Sequence, residues 1–230
     1  MEFRVIPAGD SGWLIELPDR LDKEVNARAI EIAREIERAN LAGVTDIVVG
    51  YRSVMVYVDP LKASAAAMRE QLNAIASRPA AAELAPGDFV EVPVCYDGAY
   101  GPDIDDVAAF GHCSAADVID LHLAVEYRVY VVGFVPGFAY MASVDPRIAA
   151  PRRASPRLKV PAGSVAIAAG QTGIYPAETP GGWHLIGRTP VRPYDPARPN
   201  PFLFHPGDRV RFQRITEAEY RKTTAWGDAQ

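Results

Sequence analysis

Two cysteines in 230 residues, Cys95 and Cys113, are too few for the disulfide framework of a small secreted domain. Neither has metal-ligand spacing, so both read as free thiols. No apolar run approaches the roughly 20 residues that span a bilayer. The opening MEFRVIPAGD also lacks a basic stretch followed by an apolar one, so the expected location is the cytoplasm, with no membrane partner. Net positive charge is missing too: the formal charge is −5, which speaks against a nucleic-acid partner. The chain has no Gly-x-x-x-x-Gly-Lys-Ser/Thr loop, so a nucleotide would have to be held without that cradle. Histidines are sparse as well. His112 and His122 stand ten apart across an expected helix break, with no partner at zinc spacing, so no metal site is expected. His122, in DLHLA, reads as a packed, hydrogen-bonded core histidine.

What the chain does contain is 49% hydrophobic residues, enough to bury the core of one large domain or two modest ones. FRVIP and WLIEL flank AGDSG, the pattern of a hairpin with a glycine turn. The GDSG run resembles the loop around a serine-protease nucleophile, but no histidine precedes it, and the hairpin accounts for it better. Over residues 22–39, Val25, Ala29, Ile32 and Ile36 recur at helical steps. DIVVG and SVMVYVD read as two further strands. Leu61, Ala65, Met68, Leu72 and Ile75 then repeat the helical spacing, with Pro60 near the expected start. Residues 1–80 are therefore assigned to an N-terminal α+β domain, closed by RPAAAELAPG over residues 78–87, whose prolines and small residues mark a linker.

Residues 81–230 have a different texture. FVEVPVCY is a strand whose Pro93 suggests an edge or a bulge. Residues 103–110 and 114–125 read as short helices separated by Gly111, with Ser114 and Asp117 spaced as a capping box. EYRVYVVGF is a strand. Thirteen of the 20 prolines then fall between residues 136 and 206, which precludes long helices and favours short strands joined by shaped loops.

Those loops carry GFVPGFAYM, VPAGSVAIAAGQTGIYP and TPGGWHLIGRTP, with glycines that permit tight turns and prolines that hold them. Charge is concentrated here. Over residues 133–192, Arg147, Arg152, Arg153, Arg157, Lys159, Arg188 and Arg192 face only Asp145 and Glu178, a local excess of +5 within an acidic chain. Arg152, Arg153, Arg157 and Lys159 are candidate donors to a carboxylate or phosphoryl group, with Gln171, Thr172, Tyr175 and His184 as orienting hydrogen-bond partners. The alternative from the residues alone is a β-barrel with tight corners and solvated arginines.

GFVPGFAYM, PRRASPRLKVPAGSVAIAAGQTGIYP, TPGGWHLIGRTP and FHPGDRVRF resemble, in order and spacing, the family that contains the B-type subunit of 5-oxoprolinase, the sporulation kinase A inhibitor and allophanate hydrolase subunit 1. The resemblance extends over nearly the whole chain. It implies an α+β fold in which the N-terminal domain is followed by a cyclophilin-like β-barrel domain, related to half of a carboxyltransferase module and completed by a second, homologous barrel. It further implies a B-type subunit that works with A-type and C-type partners to open 5-oxoproline to glutamate, with ATP, and magnesium, as co-substrate. Under this resemblance the ligand candidates are Arg152, Arg153, Arg157, Gln171, Thr172, Tyr175 and Arg188, with no catalytic residue assigned. His184 stands where glutamine is expected in close relatives, and Lys159 occupies a variable position. Two other functions fit the same resemblance: an inhibitor that binds a sensor histidine kinase, and a carboxyltransferase-like subunit of a urea or allophanate system. The last would need biotin, and this chain has no Met-Lys acceptor dipeptide.

Overall fold

In a computed structural model, which describes residues 1–20, 22–80 and 87–227, the chain divides into two compact units, Met1–Pro86 and Gly87–Gln230. Most of the expected linker, residues 81–86, lies outside the described residues. No described helix is long and apolar enough to cross a membrane.

The first unit begins with the hairpin, strands β1 (Arg4–Pro7) and β2 (Gly12–Glu16), closed by a hydrogen bond from the Ala8 N–H to the Gly12 carbonyl. Helix α1 (Lys23–Ala39) starts where the Asp22 carboxylate accepts from the Val25 N–H at 2.7 Å, and stops at Asn40 in the left-handed region. Capping of this kind satisfies a backbone donor that has no partner within the helix. Strands β3 (Val44–Val49) and β4 (Ser53–Val58) complete an antiparallel sheet of order β1-β2-β4-β3. Helix α2 (Ala65–Ala76) packs beside α1 on this sheet, and Met68, Leu72 and Ile75 are buried as their spacing demands. The helix starts later than its apolar period suggests. Leu61 is 94% exposed, and its N–H is taken by the Asp59 carboxylate in a turn. Pro60 therefore belongs to that turn and not to the helix.

The second unit carries β5 (Phe89–Val94), α3 (Ile104–Phe110), α4 (Ala115–Leu123), β6 (Tyr127–Val132), β7 (Ala139–Ala142), β8 (Arg157–Val160), β9 (Ser164–Ala168), β10 (Gln171–Ile174), β11 (Thr179–Gly181), β12 (His184–Arg188), β13 (Arg209–Arg214) and α5 (Glu217–Gly227). Seven strands form one sheet of order β12-β9-β10-β7-β6-β13-β5, and β8 pairs with β11 in a separate ribbon. Pro93 sits in β5, at the end of that order, where a missing N–H is tolerated. Ser114 and Asp117 form the reciprocal capping box at the start of α4.

The sheet curls until its ends meet. Cys95, just past β5, exchanges both backbone hydrogen bonds with Arg188 of β12, each at 2.8 Å. Farther along the same seam the Asp103 N–H donates to the Leu185 carbonyl, while the Asp103 carboxylate accepts from the Leu185 N–H at 2.7 Å. One side chain thus replaces a backbone carbonyl at the outer edge of β12. The barrel interior is filled by Val92, Val94, Tyr127, Val129, Met141, Ile167, Ile186 and Phe212, with α3 and α4 contributing Val107 and Val118. Both cysteines are free.

Candidate functional site

His122 belongs to that interior. It is fully buried, stacks on Phe212, and has both ring nitrogens bonded: Nδ1 to the Tyr96 hydroxyl at 2.8 Å and Nε2 to the Thr172 hydroxyl at 2.9 Å. Thr172 donates to the Ala166 carbonyl, so it accepts from His122 Nε2–H, and Nδ1 accepts from Tyr96. Burial pushes the imidazole down to about 3, which keeps it neutral. Thr172 is therefore committed to the core.

The arginines of PRRASPR lie outside the barrel, and two of them meet one carboxylate. Arg157, at the start of β8, grips Asp103 through both terminal nitrogens at 2.6 and 2.7 Å, and Arg153 adds a third bond at 3.0 Å while also reaching Asp106 at 3.3 Å. The Asp103 side chain is only 3% exposed. Burial alone would raise its pKa, but the Arg157 hydrogen bonds, the Leu185 N–H and the two guanidinium charges hold it below the ordinary aspartate value. Asp103 is the residue that the sequence reading missed. Its position at the start of α3 read as a helix boundary, and nothing local marks it as the partner of residues 50 and 54 positions away.

The other sequence candidates are scattered around this core. Gln171 is half-buried at the start of β10 and already engaged. Arg188 lies at the barrel seam, with its guanidinium 5.7 Å from the centre of the Tyr100 ring, which itself packs on Tyr220 of α5. Tyr175 is buried against Gly181, where any Cβ would run into the phenol. It closes a group of aromatic rings. Phe138 lies 5.1 Å from Tyr175, 5.5 Å from Trp183 and 4.7 Å from Tyr140, and Tyr140 lies 5.8 Å from Trp183. Phe134, in the GFVPGF turn, stands at the rim with 66% of its surface exposed.

Arg152 borders this aromatic group. The peptide on one side of it is fixed by His184, whose Nε2 donates to the Pro151 carbonyl at 3.0 Å. The peptide on the other side is fixed by the Arg153 N–H donating to the Gly182 carbonyl at 2.8 Å. The residue is held beside Gly182, Trp183 and His184, with its own side chain exposed. Among the described residues no group of three or more His, Cys, Asp or Glu side chains is placed to hold a metal ion.

A family described as the carboxyltransferase domain, subdomain C and D, matches residues 3–204, all but β13, α5 and their flanks. The B-type subunit of the Bacillus subtilis strain 168 5-oxoprolinase is 37% identical over 240 residues, covering 96% of each chain. Among solved structures, TTHA0988 superposes with a TM-score of 0.79 at 39% identity over 89% of this chain, which spans only 40% of that longer protein. The Kluyveromyces lactis urea amidolyase, at 22% identity and a TM-score of 0.78 over 96% of this chain and 15% of that one, shares the fold. On these matches the chain belongs to the carboxyltransferase domain family of subdomains C and D.

Proposed function

We propose that this chain is the B-type subunit of an ATP-dependent 5-oxoprolinase, working with a homologous C-type barrel partner and an A-type partner to open 5-oxoproline to L-glutamate. The observation that carries this reading is the end-to-end match to a protein of that name, 96% of both chains at 37% identity. The chemistry calls for a binding scaffold of this kind. A lactam carbonyl is a poor electrophile. Transfer of the ATP γ-phosphoryl to its oxygen activates the carbon towards water, and the complex ends with glutamate, ADP and phosphate. ATP, with magnesium, is co-substrate of the complex. This chain contributes shaped loops and a positioned cation and is inactive alone. The test is ATP-dependent glutamate formation by a purified mixture of the three subunits, assayed with and without this chain. Loss of turnover on omission supports the reading, and equal turnover without it rejects the reading.

A further inference from the structure

The basic segment shrinks once its partners are counted. Arg147 is paired with Asp145 at 3.0 Å, Arg153 and Arg157 with Asp103, and Lys159 with Glu178 at 3.1 Å. Arg188 is covered by Tyr100 and Tyr220, and Arg192 is engaged. Arg152 is the one cation in this segment whose side chain has no hydrogen bond, ion pair or aromatic ring against it among the described residues. It is also the one whose two flanking peptides are both tied to the Gly182–His184 stretch.

We propose that Arg152 binds the carboxylate of a small, ring-shaped monoacid whose ring lies against Tyr140, at the open edge of the aromatic group that Trp183 backs. The proposal rests on the oxoprolinase reading only for the identity of that acid. One free guanidinium suits one carboxylate, through two parallel hydrogen bonds, and is a poor match for a triphosphate. Of the neighbouring rings Tyr140 is half-buried and Phe134 is exposed at the rim, with Trp183 buried behind them, an apolar lining beside one placed charge of the kind that holds small ligands. The Arg152 charge is felt at Tyr140 and Tyr175, where it opposes the upward push of burial on both phenols. Unmet polar capacity also collects here. His184 donates from Nε2 and its Nδ1 is a buried ring nitrogen without a partner, and Arg153 Nε is a buried donor without one. Buried polar atoms are ordinarily satisfied, and two exceptions flank Arg152.

The test is titration of the full chain with three probes, followed by NMR of the Trp183 indole and the Arg152 guanidinium. The probes are 5-oxo-L-proline, cyclopentanecarboxylate, which keeps the acid without the amide, and pyrrolidin-2-one, which keeps the amide without the acid. Both acids should bind far more tightly than pyrrolidin-2-one. Arg152→Ala should weaken the acids by on the order of ten- to a hundredfold and leave the neutral lactam unchanged. Arg147→Ala, which removes the same charge from an ion-paired surface arginine, should change none of them. Equal binding of the acids by a folded Arg152→Ala chain, or no binding of either acid by the wild-type chain, overturns the proposal. If cyclopentanecarboxylate binds through Arg152 and 5-oxo-L-proline does not, the carboxylate site stands and the oxoprolinase reading falls. If the three-subunit mixture makes glutamate with Arg152→Ala at unchanged KM, the site falls and the oxoprolinase reading stands.

Discussion

A single carboxylate, Asp103, does the work of several groups. It accepts from the edge of β12 and pairs with both Arg153 and Arg157. Removing one member of such a buried pair leaves the others unpaired, so Asp103→Ala is expected to cost about 3–5 kcal/mol. Arg157→Lys cannot reproduce the two parallel bonds and should cost roughly 1–3 kcal/mol. Urea unfolding midpoints check both, and an unchanged midpoint for Arg157→Lys would return that arginine to the ligand candidates. Acid should expose two groups in separate windows. His122 has its folded pKa lowered by burial from 6.5 to about 3, so its contribution is complete above pH 6.5 and declines as pH falls towards 3, where the unfolded chain binds the proton first. Asp103 is also lowered, from 3.8, so its contribution begins to fade only below that value. Stability measured between pH 7 and pH 4.5 should therefore slope downward through His122. The slope should flatten in His122→Gln and persist in Asp103→Asn. An equal slope in wild type and His122→Gln would contradict the assignment.

Among the elements, those built from local periodicity were legible in the sequence and those built from distant pairing were not. The apolar steps of Val25, Ala29, Ile32 and Ile36 find α1, and Ser114 with Asp117 finds the start of α4. The start of α2 was misread because Leu61 fits the helical period by accident, while the Asp59 turn that excludes it is a polar, side-chain event. Barrel closure is non-local: Cys95 meets Arg188 and Asp103 meets Leu185. The site was legible in the same partial way. Glycine and proline marked the loops, and counting charge found the arginines, but charge counting does not see that a distant aspartate pairs with two of them. Thr172 lies in a glycine-flanked stretch that looks exposed, yet the strand period of β10 turns it into the core. The closed seam also makes a test. At Gly101 a Cβ would run into the Ile186 carbonyl, so Gly101→Ala must push the 95–103 segment away from β12. Amide exchange should then accelerate at Cys95, Asp103, Leu185 and Arg188, the four donors that cross the seam, but not at Tyr175, whose N–H donates to the Ser164 carbonyl at the end of the β9–β10 pairing. Uniform acceleration throughout the barrel would mean general destabilisation and not a seam.

At the scale of the whole molecule, similarity of length is uneven among relatives, and that unevenness bears on how the chain works. It matches the B-type subunit of a 5-oxoprolinase along 96% of both lengths, yet spans 40% of TTHA0988 and 15% of the urea amidolyase. In those longer proteins the same fold is covalently joined to further sequence, which holds neighbouring parts at high effective concentration without needing strong contacts. On the B-type reading proposed above, the chain recruits its homologous partner through an interface. In the basic loops Arg147, Arg153, Arg157 and Lys159 are already paired with carboxylates, and Arg152 is the cation proposed for a ligand. A lone cation accounts for orientation of a small acid, but phosphoryl transfer needs several positive groups around the moving phosphate. The purified chain is therefore expected to release no glutamate from 5-oxoproline and ATP, while addition of the C-type and A-type partners produces turnover. Size-exclusion chromatography of the mixture should show this chain eluting with the barrel partner. Robust ATP-dependent turnover by the homogeneous chain would mean that its own loops contain the whole catalytic set, and the unpaired Arg152 would then have to share the site with arginines now paired to Asp103.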